Sequence, residues 1–96
     1  MISKSIALEP GNSTYLDTYA WVLFKRARFF EAKYIIERAL DNGGDESDVI
    51  VEHYGDILYK NNDLEGALKQ WKRSLDMGNS SPILKQKIEL KKYVEE

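Results

Sequence analysis

Shifting the chain against itself by about 35 residues brings side chains of like size into register over two stretches. Leu16 falls on Val51, Tyr19 on Tyr54, Ala20 on Gly55, Leu23 on Leu58 and Phe24 on Tyr59. Further on, Ala32 falls on Ala67, Ile36 on Trp71 and Leu40 on Leu75. What repeats is an order of bulky and tiny side chains. Such a repeat restricts the fold more than composition does. Each unit has an apolar face it cannot bury alone, so successive units must stack.

Within each unit the apolar positions follow helical spacing. Leu16, Tyr19, Ala20 and Leu23 lie at i, i+3, i+4 and i+7, one face of a helix. Ala32, Ile35, Ile36, Ala39 and Leu40 form a second stripe. Val51, Tyr54, Gly55 and Leu58, then Ala67, Trp71 and Leu75, repeat the pair. The small residues Ala20, Ala32, Gly55 and Ala67 let the helices of a pair approach closely. Breaks fall between the stripes. Asn12 and Ser13 offer N-caps, as does Asp63 before Leu64, and Ser81-Pro82 supplies a cap followed by proline at the first helical position. Gly43-Gly44 and Gly78 supply left-handed residues that end helices. No segment alternates with period two. The spacing predicts helices near 2–8, 13–27, 30–42, 47–60, 64–77 and 82–95, joined by short connections that favour antiparallel neighbours.

The remaining composition narrows the function classes. A net charge of −2 over 96 residues carries no basic footprint for nucleic acid. With no cysteine and one histidine, His53, neither a thiolate metal site nor a nucleophile–base–orienter set can be assembled. No apolar run approaches the roughly 20 residues of a membrane span. No cofactor is expected. Asn12-Ser13-Thr14 and Asn79-Ser80-Ser81 match a glycosylation sequon but read as helix-capping turns.

Tyr15 to Leu23 with Glu31-Ala32-Lys33 and Ala39-Leu40, then Glu52 to Tyr59 with Leu64-Glu65-Gly66-Ala67 and Trp71, resembles the tetratricopeptide repeat (TPR) family, whose helix–turn–helix unit has about 34 residues. The resemblance covers residues 13 to 79. It implies an all-α fold of stacked antiparallel helical hairpins, an α-α superhelix, with a C-terminal capping helix. It departs from the family pattern by one extra residue in the Gly43–Ser47 turn, by Ser74 at a position usually small and apolar, and by the lack of a closing proline in either complete unit. The expected division of this single domain, 1–96, is the end of a preceding repeat over 1–12, repeats over 13–46 and 47–80, and the cap over 81–96. Ser5-Ile6-Ala7-Leu8-Glu9-Pro10 matches the close of a unit, so the chain is expected to be the C-terminal fragment of a longer repeat protein. The last helix, with Lys85, Lys87, Lys91 and Lys92 among Leu84, Ile88 and Tyr93, reads as a solvating cap.

In this family the first helix of each unit lines a concave groove. By resemblance, that face carries Asp17, Trp21 and Lys25 in the first unit and Glu52, His53, Asp56 and Lys60 in the second. Trp21 is a candidate anchor for a partner side chain, against a reading as packing on the neighbouring helix. Asp17, Glu52 and Asp56 are candidates for one acidic patch of the groove that favours a basic or amine-bearing peptide, against a reading as an ordinary solvated face. Asp17 with Glu52, as exposed carboxylates with unremarkable pKa values, are not expected to act as an acid–base pair. Family members that hold a ligand's terminal carboxylate use Lys, Arg and Asn where this chain has Asp17, Trp21, His53 and Asp56, so that activity is not expected. The leading expectation is a non-enzymatic scaffold that binds a peptide or protein in the groove, with no nucleic acid partner and no membrane insertion. The alternative is an assembly segment that self-associates through an exposed N-terminal repeat edge or packs on further repeats.

Overall fold

The computed structural model describes residues 12–94, which form α1 (Ser13–Lys25), α2 (Phe29–Asp41), α3 (Asp48–Lys60), α4 (Leu64–Asp76) and α5 (Pro82–Leu90). A short 3-10 turn, Gly44–Glu46, links α2 to α3, and no strand occurs among the described residues. The helix expected over 2–8, the end of a preceding repeat, lies outside the described residues.

The helix starts are set by side-chain caps. Asn12 Oδ1 accepts from the Tyr15 N–H at 2.9 Å, and Asp63 Oδ1 accepts from that of Gly66 at 2.9 Å. Ser81 caps α5 through the Leu84 N–H at 3.4 Å, with Pro82 in the first turn as expected. Ser47 caps α3 through the Ile50 N–H, so the helix begins one residue later than the spacing predicts. Gly43 and Gly78 are left-handed, at φ 99° and 109°.

Both hairpins turn in the same way. Ala27 is left-handed at φ 63°, and the Arg28 N–H bonds to the Leu23 carbonyl at 2.9 Å. About 35 residues later Asn62 is left-handed at φ 67°, and the Asp63 N–H bonds to the Leu58 carbonyl at 3.0 Å. This six-to-one closure ends each first helix. It stops α1 at Lys25, short of the 27 expected. Lys91, at φ 56°, does the same to α5, which ends at Leu90 and not at 95.

The tiny residues sit where helices touch. Ala20, Ala32 and Ala67 are fully buried, and Gly55 is buried against α4. A Cβ on Gly55 would lie 2.5 Å from Trp71 Cδ1, so the two backbones come closer there than any side chain allows. Around them pack Leu16, Leu23, Ile36 and Ile50 in one cluster and Leu58, Trp71 and Leu84 in another, with Tyr54 against both. Tyr54 also donates its hydroxyl to Glu37 Oε2 at 2.9 Å, tying α3 to α2. Burial and that bond push its pKa up to about 12. Ser74, polar where a small apolar residue is usual, is fully buried and donates to the Asp48 carbonyl at 2.7 Å. It fastens α4 to the start of α3. The first helices α1 and α3 lie side by side, and α5 packs on α4.

Candidate binding groove

Residues at i, i+4 and i+8 of α1 put Asp17, Trp21 and Lys25 on one stripe, and those of α3 do the same for Glu52, Asp56 and Lys60. Trp21, Lys25, Glu52, His53 and Asp56 border one cleft of about 360 Å³, closed on its far side by Lys87 and Tyr93. Lys60 stands at the adjoining hollow between Phe29 and Tyr93.

The floor is aromatic. The Trp21 ring stacks on Phe24 at 4.5 Å and 10° and on His53 at 4.2 Å and 22°. Phe24 meets Phe29 edge-on at 5.5 Å. These contacts run from α2 through α1 to α3. Trp21 is half-buried, so it packs on its neighbour and still borders the cleft. The ring of His53 is fixed by a 2.7 Å contact from Nδ1 to Asp17 Oδ1, which links α1 to α3.

The expected acidic patch is not there. Glu52 is 7% exposed and Asp56 1%. Lys87 of α5, 2% exposed, reaches between them, with Nζ 2.7 Å from Glu52 Oε2 and 2.8 Å from Asp56 Oδ1. Asn79 donates to Glu52 Oε1 at 3.0 Å, and Trp71 Nε1–H donates to Asp56 Oδ1 at 3.0 Å. An unpaired buried charge would cost several kcal/mol, on the order of 3 or more, and the shared ammonium removes most of that cost. The C-terminal helix keeps an exposed polar face at Lys85, Gln86 and Glu89, as a cap does, and does more than solvate the end of the stack. It supplies the cation that lets two groove carboxylates be buried. Two carboxylates on one ammonium still leave excess negative charge. Burial pushes the pKa of Asp56 up to about 6, against the pull of Lys87 and with a further push from Glu52.

Beyond Leu90 the left-handed Lys91 turns the chain back over the groove. Tyr93 meets Phe24 edge-on at 5.4 Å, with Lys60 Nζ 5.3 Å and Lys87 Nζ 5.4 Å from its ring centre. The sequence-based site omits Phe24, Lys87 and Tyr93. Lys87 could have been found, because the same 35-residue shift that puts Asp17 on Glu52 puts Glu52 on Lys87. Tyr93 could not, since its place depends on where α5 stops.

What remains exposed at the rim is cationic, Lys25 and Lys60, over an aromatic floor. Among the described residues no group of three or more His, Cys, Asp or Glu could hold a metal ion, and no helix is long and apolar enough to cross a membrane.

This chain is similar to the N-terminal domain of stress-induced protein-1 (STI-1) from C. elegans. The two share 28% sequence identity and superpose with a TM-score of 0.73, over 93% of this chain and 74% of that one. No family model matches the chain, and no curated protein matches it. The architecture is a TPR-like stack of helical hairpins, the fold class that the repeat in the sequence predicts.

Proposed function

We propose that this chain is a tetratricopeptide-repeat interaction module that takes a segment of a partner protein along the face lined by α1 and α3. The observation that carries this reading is Trp21. A tryptophan held by two stacked rings, yet bordering an open cleft, offers a partner a large anchor with little rotamer entropy left to lose. The chemistry at the floor and rim suits aromatic and acidic segments. The buried Glu52 and Asp56 support the groove from beneath rather than touch a partner. The likeness to an STI-1 domain supports the helical-hairpin fold on which this reading rests.

A photo-crosslinking amino acid at Lys25, exposed on the rim of the cleft beside Trp21, tests it. Lys72 is exposed on α4, does not line the cleft, and serves as control. Capture of one protein from position 25 and not from position 72 is expected. Equal capture from both positions would remove the groove as the docking face.

A second reading, self-assembly, rests on a different surface. Phe30 is 76% exposed and Tyr34 61%, and with Tyr19 they line a hollow of about 440 Å³ on the first hairpin. Exposed rings this close together are common at interfaces. Sedimentation equilibrium checks it. Self-association that Phe30→Glu with Tyr34→Glu abolishes would favour assembly, and a monomer at high concentration would exclude it.

A further inference from the structure

The groove of the proposed docking face is already occupied in part by the chain's own Tyr93. The ring has a built seat. Phe24 lies under its edge, and the ammonium groups of Lys60 and Lys87 stand against it from α3 and α5, each within the distance at which a cation is drawn to a ring. Lys91 and Lys92 of the strap are exposed, and Val94 is partly buried at the same cleft. We propose that the strap is an internal competitor, and that a partner segment binds by placing an aromatic side chain where Tyr93 now lies. The seat specifies the occupant. Two ammonium groups favour an electron-rich ring over an aliphatic side chain, and the edge contact with Phe24 favours a flat one.

The inference rests on the reading of this face as the docking groove and adds its regulation. A strap that is shut most of the time lowers apparent affinity by the fraction of chains left open. If about one chain in ten is open, removing the ring raises affinity roughly tenfold. Opening also uncovers Phe24, whose edge Tyr93 now covers.

The test uses the full chain, isotope-labelled for NMR, with three forms compared: unmodified, Tyr93→Ala and Tyr93→Leu. The probe is the peptide Lys-Lys-Tyr-Val-Glu-Glu, with a second peptide carrying Leu for Tyr. The readouts are the Trp21 indole and Phe24 amide signals. The tyrosine peptide is expected to shift both signals saturably, at least tenfold more tightly in Tyr93→Ala than in the unmodified chain. The leucine peptide should be at least tenfold weaker. Tyr93→Leu keeps an apolar side chain in the seat, so it covers the case in which Tyr93→Ala loses helicity, and it should also bind the tyrosine peptide more tightly than the unmodified chain. Equal affinity in all three forms, or equal affinity for both peptides, would overturn the proposal. So would concentration-dependent dimers lost in Tyr93→Ala, which would make a second copy the occupant. A crosslinked partner that still needs Trp21 while the peptide binds no form would sink the strap and leave the groove standing.

Discussion

Lys87 on α5 and Glu52 on α3, about 35 positions apart in the chain, meet at 2.7 Å with both side chains buried. Asp17 and His53 make the matching contact one unit earlier, also at 2.7 Å. Each groove-facing acid thus finds its partner on the next first-type helix along. The stack is pinned across its concave side by polar contacts as well as by the apolar seams behind.

Removing the ammonium should therefore cost more than removing a surface charge. Lys87→Met leaves Glu52 and Asp56 buried without a cation. We expect a loss of about 3–5 kcal/mol of stability in urea unfolding, which a small domain can hardly sustain. Adding Glu52→Gln and Asp56→Asn to Lys87→Met should recover most of it, since a satisfied neutral cluster needs no counter-ion. A loss under about 1 kcal/mol for the single variant would mean that the cluster is solvated. For the same reason, charge reversal at Asp56 unfolds the chain rather than probing the groove.

The raised pKa of Asp56 gives stability a pH dependence of definite sign. In the unfolded chain this carboxyl titrates near its ordinary value of about 4. In the folded chain it titrates at about 6. The folded state binds the proton more tightly, so this group's contribution is fully present below about pH 4 and is lost as pH rises through 6. Asp56→Asn abolishes that titration while keeping a carbonyl oxygen for Trp71. Relative to the parent, the variant should gain on the order of 1 kcal/mol between pH 5 and 7.5 in urea midpoints. A parent-to-variant difference that is flat with pH would contradict the assignment.

Gly55 sits mid-helix, where alanine is ordinarily better by roughly 1 kcal/mol. Here the added methyl would stand 2.5 Å from the Trp71 ring, which is fully buried and held by its bond to Asp56. Overpacking of this kind costs about 1–3 kcal/mol, so the clash wins. Gly55→Ala should lower stability by up to about 2 kcal/mol net of propensity. A more stable variant would show that α3 and α4 can move apart at no cost.

The hairpins, their caps and their close contacts were readable because they follow local rules. Ala20 and Gly55 lie at helix spacing among large apolar residues, and such small residues have one use there. Ser74 stood out as polar in an apolar place, but its bond to the Asp48 carbonyl depends on a loop geometry that no spacing encodes. The largest misreading concerns Glu52 and Asp56. On a lone α3 they read with the solvated residues, and it is Trp71 of α4, Asn79 and Lys87 of α5 that meet them in the folded chain. A lysine in a helix of several lysines gives no local sign that it alone goes inside. Lys91 adopts a left-handed conformation without being glycine, so nothing marked the end of α5 or the return of Tyr93.

The account stands on the claim that a protein partner docks over Trp21. Titration calorimetry with the partner captured by crosslinking measures this directly, comparing Trp21→Ala and Lys72→Ala with the parent. The expected result is a loss of at least about 2 kcal/mol, roughly thirtyfold in Kd, for Trp21→Ala at unchanged helicity, and none for Lys72→Ala. Unaltered affinity in Trp21→Ala would contradict it.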